Sequence, residues 1–343
     1  MKKLKVFIAR VRSASFSRMR MHIRAIHQES GRSRVLIFLD MLWCILRYGV
    51  GYLDYHVFGF AYIRGKKLRR TFMTMNDNLN LVRRVNQAEY RHCFENKIDF
   101  LRIFQAYTGR AFLDLSTASA EEFQAFAERY SVVFAKPLSD FGGHGVQKIT
   151  AAEVQDWEKL YTELRETGSV LIEEQIIQHA KMNELNPACI NTVRMVTLLY
   201  RGTVHHMYSL LRVGSGTGVV DNISSGGMYA PVWEDGKIAK PAFCDSTGLY
   251  YDKHPVTGTT YVGFALPDYQ EAVEMVKRAA LEVPQIQYVG WDVALSEKGP
   301  VLVEGNVIPG YDMCQNYYHL RDDKKGIREK FQQCMDAEET GAQ

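Results

Sequence analysis

The chain has no CxxC pair and no zinc-type cysteine spacing. Its six cysteines (Cys44, Cys93, Cys189, Cys244, Cys314 and Cys334) are scattered, which excludes a zinc module and suits a reducing compartment. It also lacks a long uncharged apolar run. Val35 to Tyr62 is rich in aromatic and aliphatic residues, but Asp40, Arg47 and Asp54 interrupt it, and a spanning helix needs ~20 nearly uncharged residues. A buried or interfacial helical pair is expected there instead. The start, Met1-Lys2-Lys3-Leu4-Lys5, imitates a secretory leader, yet its apolar run stops at Arg10, too short for an h-region. No GK[ST] phosphate loop, internal repeat or low-complexity tract is present. A soluble or peripheral cytoplasmic protein is expected, without a nucleic-acid partner.

What is there is an ordinary globular composition, 46% hydrophobic and 24% charged over 343 residues, enough for a sizeable core. That length suggests two or three subdomains, or one large α/β body. The net charge of +3 is unevenly placed. Residues 1–34 hold ten Lys or Arg against the single acid Glu29, a net of +9, leaving 32 basic and 38 acidic residues elsewhere, or −6. Such a segment could meet anionic lipid or another polyanion. A solvated helical arm is the plainer alternative.

Residues 1 to about 75 look mainly helical and basic, and helical periodicity continues from Asn78 to Tyr107, with Phe94, Ile98, Leu101 and Phe104 as its apolar stripe. A short helix is expected over Glu121–Tyr130, a strand over Ser131–Pro137, a second over Val146–Ile149, helix over Ala151–Arg165, and a strand over Val170–Glu174. Two alternating strands, Thr192–Tyr200 and Val204–Val213, flank the two-residue turn Arg201-Gly202. Pro267–Val283 reads as helix. A hairpin follows: Gly290-Trp291-Asp292-Val293-Ala294-Leu295, a polar turn, then Pro300-Val301-Leu302-Val303-Glu304-Gly305-Asn306.

That hairpin carries the most chemistry. Alternation places Glu304 and Asn306 on one face, and Asp292 on a face with Gly290 and Ala294. A three-residue loop Glu297-Lys298-Gly299, with Gly299 left-handed in a bulge, would set Asp292 directly opposite Glu304. Two carboxylates and an amide then converge, an oxygen-ligand site for Mg²⁺. An ordinary hairpin with solvated polar residues is the alternative, although its apolar flanks argue for burial.

Gly142-Gly143-His144-Gly145 lies between two strands, and glycines there let backbone N–H groups converge on an anion. A plain hairpin turn would explain it equally well. Lys136, just upstream at the end of an apolar strand, needs an anionic partner, which a phosphate would supply. Ile172-Glu173-Glu174-Gln175-Ile176-Ile177 sets acids between aliphatics at a strand-to-loop junction, suited to an adenine slot with an acid near the ribose. An edge strand with exposed glutamates is the alternative. Arg194, inside the apolar strand Asn191-Thr192-Val193-Arg194, suggests a cation facing a polyanion. Arg212 and the polar loop Asp221-Asn222-Ile223-Ser224-Ser225-Gly226-Gly227 follow.

In that order, these features resemble an ATP-grasp protein, most closely the sugar-transfer-associated ATP-grasp family, over roughly residues 70–320. The strongest marks are Asn191–Arg194, Asp221–Gly227, His254-Pro255-Val256-Thr257-Gly258, and Gly290-Trp291-Asp292 with Glu304-Gly305-Asn306. The resemblance implies an α+β ATP-grasp fold, two α+β subdomains clasping ATP, with the helical basic segment in front. The implied domains are residues 1–75, an ATP-grasp domain over 76–320 with a lid at about 115–175, and a C-terminal helix and tail over 321–343. By resemblance, Lys97 and Lys136 contact the nucleotide phosphates, and Gly142, Gly143, His144 and Gly145 form the lid loop. Glu173, Glu174 and Ile176 match the adenine hinge, and Glu184 is the candidate ribose acid. Asp292, Glu304 and Asn306 match the Mg²⁺ ligands, while Arg194, Arg212 and Asn222 lie near the γ-phosphate and acyl-phosphate. A Rossmann-like leading domain, usual in ATP-grasp ligases, is replaced here by the basic helical segment.

The implied activity is ATP-dependent ligation of a carboxylate to an amine or thiol through an acyl-phosphate, with ATP and Mg²⁺ as cofactors. Small, sugar-linked substrates in cell-surface polysaccharide synthesis are expected; the basic residues 1–34 and the aromatic helices would suit docking at the cytoplasmic membrane face, with the solvated helical arm as the plainer reading. An ATP-grasp-type kinase acting on a sugar or polyol is one alternative. A non-catalytic nucleotide-binding module of a glycan-assembly complex is the other. His254 and Gln315 are minor candidates for the substrate site.

Overall fold

The computed structural model describes residues 16–138, 145–216 and 226–340. The chain divides into two compact units, Met1–Arg84 with Gly310–Gln343, and Val85–Pro309.

The first unit is helical. It contains α1 (Phe16–Ser30), α2 (Arg34–Tyr48), α3 (Tyr52–Val57), α4 (Lys66–Arg69) and α5 (Met75–Val85), whose last residue begins the second unit. Gly49, left-handed at φ 71°, ends α2 and returns its N–H to the Ile45 carbonyl. The core gathers Ile26, Ile37, Met41, Phe58, Phe60, Phe72 and Phe331. Within it Arg69 is buried, donating to both carboxylate oxygens of Asp40 at 2.9 and 2.7 Å and to the Phe60 and Ile63 carbonyls. Gln315 is equally buried, joining the N–H and carbonyl of Met73 to the Tyr311 carbonyl, so its amide serves the fold.

In the second unit the helical periodicity up to Tyr107 resolves into short pieces: α6 (His92–Glu95), α7 (Lys97–Ile103) and α8 (Gln105–Thr108). Asn96 leaves the helix and caps α7 with its side-chain oxygen on the Ile98 and Asp99 N–H groups, and left-handed Gly109 closes α8. A four-stranded antiparallel sheet follows, built from β1 (Phe112–Asp114), β2 (Val132–Lys136), β3 (Gln147–Thr150) and β4 (Leu171–Glu174) in the order β1-β4-β2-β3. Its helices are α9 (Ala120–Tyr130) and α10 (Trp157–Glu166), started by a Ser119/Glu122 capping box and by Asp156. Phe123, Ala127 and Leu164 from these helices pack with Val133, Ala135, Ile149 and Ile172 of the sheet.

The second sheet has seven antiparallel strands in the order β11-β10-β5-β6-β7-β8-β9. These are β5 (Thr192–Tyr200), β6 (Thr203–Val213), β7 (Met228–Val232), β8 (Ala242–Cys244), β9 (Leu249–Tyr251), β10 (Tyr288–Ser296) and β11 (Gly299–Asn306). Arg201 and Gly202 both take positive φ, 48° and 87°, as a primed hairpin turn requires. A short helix, α11 (Ala180–Asn183), precedes β5, and α12 (Tyr269–Ala279) covers one face of the sheet. Its buried residues Ala272, Val273, Val276 and Ala279 join Val193, Met195, Val289 and Trp291 in the main core. The indole N–H of Trp291 donates to Thr197 Oγ1 at 2.9 Å, and the ring packs against Phe94 and Phe104. The C-terminal α13 (Arg328–Thr340) belongs to the first unit.

Asp292 does lie opposite Glu304, but the loop is not the cause. Ser296 pairs with Gly299, leaving a two-residue turn, and the register stays regular as far as Val293 opposite Leu302. The shift comes between Val293 and Asp292, where Val303 is the extra residue of a bulge. Without it, alternation would bring Val303 to Asp292. Asn86 then fixes the far end of the hairpin, donating to the Tyr288 and Val307 carbonyls and accepting from the Tyr288 N–H.

Gly305 sits where β11 meets the aromatic cluster. A Cβ there would stand 2.7 Å from Phe94 Cδ1 and 3.1 Å from Phe100 Cε2, rings already packed on one another. Gly305→Ala should therefore cost about 1–3 kcal/mol, the usual range for overpacking, as read from the urea midpoint at unchanged slope.

Candidate active site

A cleft of about 540 Å³ is lined by residues of both sheets in the second unit, a size typical of small-molecule sites. The four-stranded sheet contributes Phe134, Lys136, Lys148, Leu171 and Glu173, and the seven-stranded sheet contributes Thr192, Arg212, Asp292, Glu304 and Asn306. Lys97, at the start of α7, reaches in with its ammonium on the Pro137 carbonyl. Glu174 and Ile176 line the cleft too, and Glu174 accepts the Ala111 N–H at 3.0 Å.

On the seven-stranded sheet the cross-strand pairs Glu304–Asp292–Arg194 and Thr192–Arg212 put the charged groups on one face. Asp292 is fully held: Arg194 grips both carboxylate oxygens, and Arg212 donates to Oδ2 at 2.7 Å. Burial alone would push the Asp292 carboxyl up, but the two guanidiniums outweigh it and hold it far below the usual range. Glu304 fares differently. Burial first, then the Asp292 carboxylate beside it, push its carboxyl up to about 7, and Asn306 Nδ2 stands 3.4 Å away.

Glu304 is thus an acid short of positive charge, next to a second carboxylate and an amide, on the cleft wall. That donor set fits a hard divalent cation with oxygen ligands. Among the described residues no group of three His, Cys, Asp or Glu side chains could hold a metal, so a cation here would have to take Asn306 as its third oxygen. The lysines at Lys97, Lys136 and Lys148 and the apolar lining of Phe134, Leu171 and Ile176 fit a nucleoside triphosphate.

Other residues behave differently from the sequence expectation. Glu173 is neither exposed nor on an edge, since β4 lies between β1 and β2. Arg110 donates to its Oε1 at 2.6 Å and Lys136 pairs with Oε2. Burial would raise the Glu173 carboxyl, but these two cations hold it at about 2. Arg194 is spent on Asp292 and is not among the residues lining the cleft. Glu184 does not line it either; its exposed carboxylate pairs with Lys181 at 2.6 Å, one turn away. His254 is buried with Nε2 at the Gly214 carbonyl and Nδ1 accepting the Val256 and Thr257 N–H groups, so it organises its own turn. Gly145 is left-handed at φ 73°. Gly142, Gly143, His144 and Asn222 lie outside the described residues.

Sequence reasoning missed Arg110. This buried guanidinium binds Glu173 on β4 and also donates to the Leu302 and Val303 carbonyls at 2.6 and 3.2 Å. β11 is an edge strand, so the bulge leaves those carbonyls in need of a donor. Gln178 was missed as well: it accepts from the Asn191 N–H and donates to Asn183 and the Asn186 carbonyl, bracing the cleft wall before β5. A single Arg or Gln in a loop carries no periodic signal.

The profile of the sugar-transfer associated ATP-grasp family matches residues 76–321. No curated protein matches. Among solved structures, D-alanyl-alanine synthetase A from Vibrio cholerae O1 biovar eltor is 14% identical, with 71% of this chain and 65% of that one covered and a TM-score of 0.41. The D-cycloserine synthetase DcsG is 12% identical, with 72% of each chain covered and a TM-score of 0.41. The ATP-grasp ligase PsnB is 16% identical, with 66% of this chain and 56% of that one covered and a TM-score of 0.39. The chain spans less than two thirds of the length of the synthetase and of PsnB.

Removing the Arg110 guanidinium leaves the buried Glu173 carboxylate with Lys136 alone and strands two carbonyls, so Arg110→Leu should cost about 3–5 kcal/mol in chemical denaturation. Glu173 titrates near 4.5 when unfolded and at about 2 when folded. Its contribution is present above pH 4.5 and lost as pH falls toward 2. The gap between wild type and Arg110→Leu should therefore narrow across that window.

Proposed function

The chain belongs to the sugar-transfer associated ATP-grasp family, and from that premise we propose that it is an ADP-forming ligase joining a carboxylate to an amine or thiol. The observation that carries this reading is the placement of Asp292, Glu304 and Asn306 beside Arg212 in a cleft whose other wall presents lysines. In such a reaction the substrate carboxylate attacks the γ-phosphoryl group of ATP, ADP leaves, and the acyl-phosphate is opened by the second substrate with loss of phosphate. Magnesium, when bound, supplies charge neutralisation and orients the phosphates.

The chain's own residues position and neutralise; no covalent nucleophile is required. Asp292, Glu304 and Asn306 would hold the metal, with Arg194 orienting Asp292 from behind. Arg212 donates toward the transferring phosphoryl group while steadying Asp292. Lys97 and Lys136 take the remaining phosphate charge, and Glu173 fixes Lys136 in place. Glu174 and Ile176 border the slot for the base, beside Phe134 and Leu171. The residues Gly142, Gly143, His144, Gly145 and Asn222 are assigned to the phosphates by family resemblance alone.

The ATP-grasp domain is assigned residues 76–320, with its lid at about 115–175. The substrates proposed are small and sugar-linked, in making or modifying cell-surface polysaccharide. A reducing, cytoplasmic setting fits the six free thiols, and the basic residues 1–34 would meet the anionic inner membrane face through charge.

An ADP-release screen of uronic acids and amino acids, with and without amine acceptors, tests the ligase. Amine-dependent ADP release with a ligated product supports it; a stable phosphorylated sugar without amine would mean a kinase. With the true substrates, Glu304→Ala should lower turnover at least ~100-fold, as for other preorganised charge stabilisers; near-normal turnover would sink the metal assignment. Because Glu304 titrates at about 7 without metal, Mg²⁺ binding by calorimetry should weaken as pH falls below 7 and the proton competes.

A further inference from the structure

We propose that α2 lies flat in an anionic bilayer surface, with Val35, Leu36, Leu39, Trp43 and Leu46 immersed among the acyl chains. This deepens the charge contact proposed for residues 1–34, and rests on it for the choice of an anionic surface. Ile37, Met41 and Cys44 turn into the core of the first unit, fully buried. The five immersed residues are instead 39–67% exposed. At 100° per residue they fall within one arc about a quarter of the helix wide, the i, i+4, i+8, i+11 spacing of an interfacial stripe. Phe16 and Met21 on α1 and Leu53 on α3 add further exposed apolar side chains to the same unit. A contiguous apolar face of this kind marks an interaction site.

The charge nearby names the occupant. Over residues 16–48 six arginines (Arg18, Arg20, Arg24, Arg32, Arg34, Arg47) stand against Glu29 and Asp40, and Arg34 and Arg47 flank the stripe at either end of α2. Asp40 is already held by Arg69 and Arg32. An apolar face rimmed by arginine is the composition of helices that rest at the headgroup boundary, where arginines reach up to the phosphates. No helix among the described residues is long and apolar enough to cross a membrane, and the 15 residues of α2 span ~22 Å against a core of ~30 Å. The helix therefore lies on the bilayer. Trp43, stacked edge-on to Tyr48, supplies the interfacial aromatic.

The full-length protein would be mixed with phosphatidylglycerol/phosphatidylcholine vesicles carrying a brominated lipid, and with phosphatidylcholine vesicles alone. The expected result is binding to the anionic vesicles with tryptophan quenching that disappears in Trp43→Phe. Partitioning should fall about tenfold in Leu39→Ser/Leu46→Ser, two exposed positions at which native unfolding and vesicle-free ADP release should be unchanged. Binding without Trp43 quenching that high salt fully releases would overturn insertion and leave the charge contact standing. No binding to either vesicle would overturn both. Concentration-dependent dimers that the double variant abolishes, with no quenching on vesicles, would assign the face to a second copy of this chain instead.

Discussion

The guanidinium of Arg110 ties the two sheets of the second unit together. It binds Glu173 on β4 and the carbonyls of Leu302 and Val303 on β11, all away from water. Each partner needs it. Glu173 would otherwise be a buried acid with Lys136 alone, and the bulged edge of β11 would bury acceptors without donors. Because the same bulge sets Glu304 opposite Asp292, the cation that satisfies the edge also stabilises the register on which the site is built.

Charge is then divided sharply across the cleft floor. Asp292 is bonded by two arginines and is locked in its ionised form, whereas for Glu304, next along the same face, burial and the Asp292 carboxylate outweigh the pull of Arg194 and push it up to about 7. Two chemically similar carboxyls acquire different duties from their neighbours. One is a fixed anion that orients the arginines; the other holds its proton more tightly than a free carboxyl does. Lys136 shows the same logic on the opposite wall, aimed by Glu173 rather than left to swing.

Much of this was legible in residue order. Alternation in Thr192–Tyr200 and Val204–Val213 with Arg201-Gly202 between them located β5, β6 and their turn, and the acid–amide pattern of Gly290–Asn306 located β10 and β11. The helix over Pro267–Val283 came out shorter, as α12, and the stripe from Phe94 to Phe104 broke into short helices, first at Asn96, which caps α7 rather than continuing α6, and again at Phe104. Strands β1, β7, β8 and β9 were not anticipated. β7 and β8 are buried at every position, so no alternation marks them, and β1 and β9 run only three residues.

Sequence by itself determined the chemistry available: two acids and an amide on one hairpin, lysines ahead of them, arginines within apolar strands, and a family pattern that specifies the fold. Local periodicity encodes which side of a strand a residue takes, and that information survives in the chain. Only the tertiary structure decided which charges meet. It moved the register shift from Gly299 to Val303, turned Arg194 onto Asp292, withdrew Glu173 beneath Lys136, left Glu184 at the surface with Lys181, and brought Arg110 to β11 across 192 residues. Ion pairs of that separation depend on how sheets stack and where edges need donors, quantities that no window of sequence contains.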